Sequence, residues 1–200
     1  MKNFKTMILV ASVATLLMAG CATSGSEKMT VTDYKTQGQE LMAVEFAPTK
    51  ISSIDEARQP INALFINALP LYTEYTDKVL AAPEYAQVMS SLDLENKSDE
   101  DAKAAYDALT DEQRGVVNEF NAANDDLMKR IFKISIDLLA QQALFNELDT
   151  GSLLKEVKFS EMMDVKDQLS LTKDQLGFVS ETAGKINKNY QVIESLKVAQ

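Results

Sequence analysis

Asp149-Thr150-Gly151 and Ser152-Leu153-Leu154-Lys155 are the stretches of this chain that come nearest to catalysis. An Asp-Thr-Gly triplet can hold one of two carboxylates that share a proton, but that chemistry needs a second carboxylate opposite, both on β loops. Ser-x-x-Lys on a helix sets an amine one turn from a hydroxyl nucleophile. The Lys-Thr-Gly and Ser-Asp-Asn segments that complete such a site are absent. Structural roles explain both stretches better: Gly151 stops a helix, Ser152 caps one, and Lys155 is solvated. Asp93-Leu94-Glu95-Asn96-Lys97-Ser98-Asp99 starts with alternating oxygen ligands. It lacks the glycine and the terminal bidentate glutamate of a calcium loop, and Lys97 falls at a ligand position. It reads as a solvated acidic loop. Asp99-Glu100-Asp101 and Asp125-Asp126 are neighbours, which point apart on a helix and make poor ligand pairs. Met29, Met42, Met89, Met128, Met162 and Met163 have soft sulfur that could take copper(I), but their scatter fits core packing.

Composition narrows the chemistry further. The 200 residues contain no histidine and a single cysteine, Cys21. Without histidine the chain lacks the commonest general base and the commonest metal ligand. A zinc site would have to be built from carboxylates alone. No catalytic, cofactor-binding or metal-binding residue is therefore assigned, and an enzyme is not expected. The formal charge of −10 disfavours nucleic acid and anionic lipid headgroups as partners. Gly and Pro are few, which favours helix over a turn-rich β fold.

The first twenty-one residues carry the clearest signal. Lys2 and Lys5 precede an apolar run from Met7 to Ala19, then Gly20-Cys21. A run of about thirteen residues fits the core of a signal peptide and falls short of the ~18–20 that span a bilayer. Leu17-Met18-Ala19-Gly20-Cys21 resembles the bacterial lipobox, with Met18 where that family usually has Leu. The resemblance implies cleavage between Gly20 and Cys21, a lipid on the Cys21 thiol and a fatty-acyl (palmitate) chain on the new N-terminus. In a Gram-negative host it also implies passage to the outer membrane, because Ala22 rather than Asp follows Cys21. An ordinary secretory signal or an uncleaved anchor remains the alternative. Loss of residues 1–20 removes two lysines and no acid, leaving the mature chain two units more negative. Residues 21–32 are small and polar and read as a lipidated cysteine with a flexible tether; residues 33–200 read as one domain.

Helical periodicity runs through that domain. A weak helix is expected over 33–46, softened by Gly38 and ended by Pro48. Ser53-x-x-Glu56 has capping-box spacing and should open a helix over 54–80, with Pro70 kinking or breaking it. Phe65, Tyr72, Tyr75 and Tyr85 cluster near that break, as core or as the lining of a groove. Pro83 starts a short helix, and Ser98 caps another over 99–109. Thr110-x-x-Gln113 opens the longest regular stretch, to about Leu148, with Asn124 and Gln141 interrupting its inner stripe. Short helices are expected within 153–170. Thr172-x-x-Gln175 should cap a last helix to about Lys197. The fold class is all-α: an antiparallel bundle of four or more helices with a long central helix.

These features predict a lipid-anchored bundle facing the periplasm, with a structural or protein-binding role and an envelope protein as partner. The alternative is a carrier of an apolar ligand within the bundle, its pocket opened at Pro70.

Overall fold

The computed structural model describes residues 31–94 and 97–198, and these are helical with connecting turns. The helices are α1 (Val31–Ala43), α2 (Ser52–Leu80), α3 (Pro83–Leu92), α4 (Asp99–Asp107), α5 (Asp111–Ala123), α6 (Asp125–Asn146), α7 (Thr150–Leu153) and α8 (Met162–Val198). The expected signal peptide, Gly20 and Cys21 lie outside the described residues.

Four helices form the bundle: α1, α2, α6 and α8. Their directions follow from the side chains that meet. Arg58 Nε donates to Thr172 Oγ1 (3.1 Å), Gln175 Nε2 to Asn62 Oδ1 (2.9 Å), and Tyr72 Oη to the Val179 carbonyl (3.4 Å). Position numbers rise together, so α2 and α8 run parallel. On α6 they run in opposition: Tyr190 Oη donates to Asp125 Oδ1 (2.6 Å), whereas Asn187 meets Ser135. Lys35 pairs with Asp77, and the turn after α1 reaches back to Gln168, so α1 also opposes α2 and α8. The result is an up-down-up-down arrangement around one core, which includes Ile54, Ile61, Phe65, Ile131, Leu138 and Val179.

A second core caps the end where α2 and α8 finish and α6 begins. It is built from α3, α4 and α5 with Tyr85, Leu92, Tyr106, Val117 and Phe120, and it takes in Val79 of α2 and Ile193 of α8. Tyr85 stacks on Phe120 at 3.6 Å between centroids. The expected capping box at Thr110 is present: its side chain accepts from the Gln113 N–H, and Gln113 Oε1 accepts from the Thr110 N–H. Thr110→Ala should cost about 1 kcal/mol of stability, read from a urea transition. No measurable loss would show that α5 is held by its packing alone.

Several expectations are corrected. The stretch from Asp111 to Leu148 is two helices that break at Asn124, whose backbone leaves helical geometry (φ −119°, ψ 15°). Its Nδ2 donates to the Phe120 carbonyl at 2.7 Å, the local competition that makes asparagine a poor helix interior residue. The long helix is instead α8, with 37 residues. Thr172 does not begin it. Thr172 is wholly buried in mid-helix, and its hydroxyl bonds back to the Gln168 carbonyl at 3.0 Å. Val165, Leu169, Thr172, Leu176, Val179, Ala183 and Ile186 form one inward heptad-like stripe, and Thr172 keeps it in phase.

Ser53 caps nothing either. α2 starts at Ser52 after Ile51, with no side-chain cap, and Ser52 Oγ bonds Glu56 at 2.8 Å instead. α2 also continues through Pro70. Proline there frees one carbonyl, that of Ile66, and Ile66 is exposed, so water can satisfy it.

Candidate interaction surface

The residues singled out for chemistry serve the fold. Asp149 is the N-cap of α7, its carboxylate accepting from the Ser152 N–H (3.1 Å) and hydroxyl (2.6 Å). Gly151 thus lies inside a short helix and does not stop the preceding one, which ends at Asn146. The Ser152 hydroxyl is committed to Asp149, and Lys155 is exposed in the 3₁₀ turn Leu154–Glu156. Asp93 takes left-handed backbone (φ 45°) as the C-cap of α3, a conformation that aspartate tolerates. Leu94 is buried beside it, and Ser98 caps α4 through the Asp101 N–H at 3.1 Å. Asp93 and Ser98 are thus helix-end residues. Among the described residues no group of three or more Cys, Asp or Glu is placed to hold a metal ion.

The aromatic cluster is core. Phe65 and Tyr72 pack on Phe178, and Tyr75 meets Phe120 edge-on. Burial pushes the Tyr72, Tyr75 and Tyr85 hydroxyls well above the ordinary tyrosine range, so they stay protonated. Among the described residues, grooves open at the surface in two places. One, of about 720 Å³, runs between α1 and α2 past Met42, Leu69 and Pro70; the other, of about 400 Å³, is bordered by Pro83, Tyr85 and Phe120.

The most constrained polar group was not anticipated from the sequence. Arg58, on α2, is fully buried. Its guanidinium donates to Asp55 Oδ1 (2.8 Å), the Ala47 carbonyl (3.1 Å), Thr172 Oγ1 (3.1 Å) and Gln168 Oε1, and the Phe46 ring covers it at 4.3 Å. Asp55 also accepts from the Thr49 N–H at 2.9 Å, and Gln168 Nε2 donates to the Glu45 carbonyl at 3.0 Å. Desolvation lowers the Arg58 pKa while the Asp55 hydrogen bond opposes the fall, and a guanidinium stays charged throughout. This knot ties the turn over 44–51 to α8. Its hydrogen bonds to Asp55, Ala47, Thr172 and Gln168 make it a clasp between the turn and the helix.

Among the described residues, Phe159 and Met163 are exposed elsewhere, while exposed apolar side chains line up along the outside of α6. That helix buries Leu127, Ile131, Ile134, Leu138 and Phe145 on one side. On the other side it exposes Phe132 (41 %), Ile136 (52 %), Leu139 (65 %) and Leu144 (56 %), with Ala140 and Ala143 between them. Steps of four, three and four residues from Phe132 through Ile136 and Leu139 to Ala143 make this a second apolar stripe at helical period. Single exposed apolar residues are ordinary, whereas a contiguous row is the kind of face that a partner can cover. The sequence carried the signal, since 127–145 is apolar on both faces, and only the inner face was read from it.

The fold and this surface define an all-α helical bundle with an open apolar face. Family models, curated proteins and solved structures yield no match to the chain.

Proposed function

We propose that this protein is a lipid-anchored helical bundle of the cell envelope, with a non-catalytic, protein-binding or structural role. The outer face of α6 is the observation that carries the binding role. The lipobox-like residues Leu17–Cys21 support the anchor. Among the described residues no helix is long and apolar enough to cross a membrane. Nine residues, 22–30, separate Cys21 from Val31, where α1 begins, making ten Cα-to-Cα steps. Fully extended they reach at most about 35 Å, so the anchor would hold the bundle close to the bilayer. In a Gram-negative host the location would be the periplasmic face of the outer membrane. The carrier reading has less support, because Phe65, Tyr72 and Tyr75 pack into cores and the groove beside Pro70 opens at the surface.

Two measurements test this reading. Cys21→Ala should leave helicity and melting unchanged and move the protein from the membrane pellet to the soluble fraction. A variant that stays in the pellet after a high-salt wash would overturn lipid anchoring. Native mass spectrometry of protein extracted from its own membranes in mild detergent should show a protein bound at fixed stoichiometry. Ile136→Asp should lose that bound protein while the fold is kept. A bound apolar small molecule with no protein would favour the carrier instead.

A further inference from the structure

We propose that the outer face of α6 pairs with the same face of a second copy of this chain, the two helices running antiparallel. This rests on the binding role proposed for that face and names its occupant. The argument is self-complementarity, which a two-fold interface requires because each residue meets its counterpart's partner in reverse. Phe132, Ile136, Leu139 and Ala143 occupy the seam positions of a heptad. In an antiparallel pair centred between Asp137 and Leu138, Phe132 lies opposite Ala143 of the other copy, and Ile136 opposite Leu139. The largest side chain of the row meets the smallest at both ends, as knobs-into-holes packing requires. Charge agrees with this register. Lys129, on the same face one turn before Phe132, pairs with Asp125 of its own chain at 2.6 Å yet is 69 % exposed, and in this register it also lies beside the exposed Glu147 of the other copy. A parallel pair would instead set Lys129 against Lys129 and Phe132 against Phe132. Antiparallel helices also oppose their macrodipoles.

The seam from Phe132 to Ala143 spans about 17 Å at 1.5 Å per residue, shorter than a stable dimer interface in free solution needs. Tethering to one membrane raises the effective concentration of the copies, so a short seam suffices there. A two-fold axis normal to the bilayer would place both tethers at the same height.

The test uses the full chain in the membranes of cells that produce it, where Cys21 is the only native cysteine. Two tagged variants, Phe132→Cys and Ala143→Cys, are co-expressed and oxidised. A disulfide should join one to the other, and neither variant should join to itself, because like positions lie about 17 Å apart along the pair. Adding Ile136→Asp to both should abolish the product at unchanged helicity. Equal self-linking of each variant, or no link in the mixture, overturns the antiparallel pair. A photo-crosslinker at position 136 then separates the two failures. An adduct with a different protein overturns self-pairing and leaves the binding reading. No protein adduct, or one only with residues 22–30 of the same chain, removes both.

Discussion

Arg58→Ala is expected to cost about 3–5 kcal/mol of folding stability, the usual penalty for removing one member of a buried ionic network. The loss would not be one interaction. Asp55 would keep its bonds to Thr49 but lose its cation. The Ala47 carbonyl would lose its guanidinium donor, and Thr172 and Gln168 would face a cavity in the α2–α8 seam. Arg58→Lys should recover less than half, because a single ammonium cannot span acceptors that the planar fork reaches together. Urea unfolding followed by circular dichroism measures the loss. Amide exchange should quicken first in residues 44–51, which the clasp holds. A loss below about 1 kcal/mol would mean that α8 packs without the clasp.

Gly38→Leu should cost about 2–3 kcal/mol, although leucine is the better helix former by about 1 kcal/mol. A Cβ at position 38 would come within 2.4 Å of Leu69 Cδ1 and 2.9 Å of Phe178 Cζ. Leu69 ends in a flexible methyl and can turn aside. Phe178 cannot, since it is buried and packed edge-on to Phe65 at 5.8 Å between centroids. The glycine lets α1 lie close on α2 and α8. Gly38→Ala should cost less, because with a similar propensity gain it adds only the Cβ to that contact. Hydrogen exchange should show α1 opening before α6 and α8. An unchanged or higher melting temperature would show that α1 does not rest on this contact.

Gly38 also shows where the sequence misleads. Read locally it is a weak helix residue; only the partner helices reveal why a side chain is excluded there. Helix positions followed from periodicity because burial enforces it: α3, α4 and the start of α5 stand where Pro83, Ser98 and Thr110 put them. Boundaries failed where a polar side chain could either cap a helix or bond within the core. Thr172 has the spacing of a cap, yet it serves Arg58, more than a hundred residues earlier in the chain. Asn124 was legible as an interruption but not as a break, since its competition with the backbone depends on the turn around it. The outer stripe of α6 was visible in the residues, but choosing which of two apolar faces is buried requires the neighbours.

The role of α8 in both cores has a kinetic consequence. α2 meets α8 across more than a hundred residues of chain, and Ile193, near the end of α8, completes the second core. Loop closure over such separations slows folding. α2 and α6 lack their third packing partner until α8 has been made, so the bundle core cannot close before then. If the chain is threaded unfolded through a membrane, as the proposed lipid anchor requires, that delay keeps it open and transportable until α8 is made.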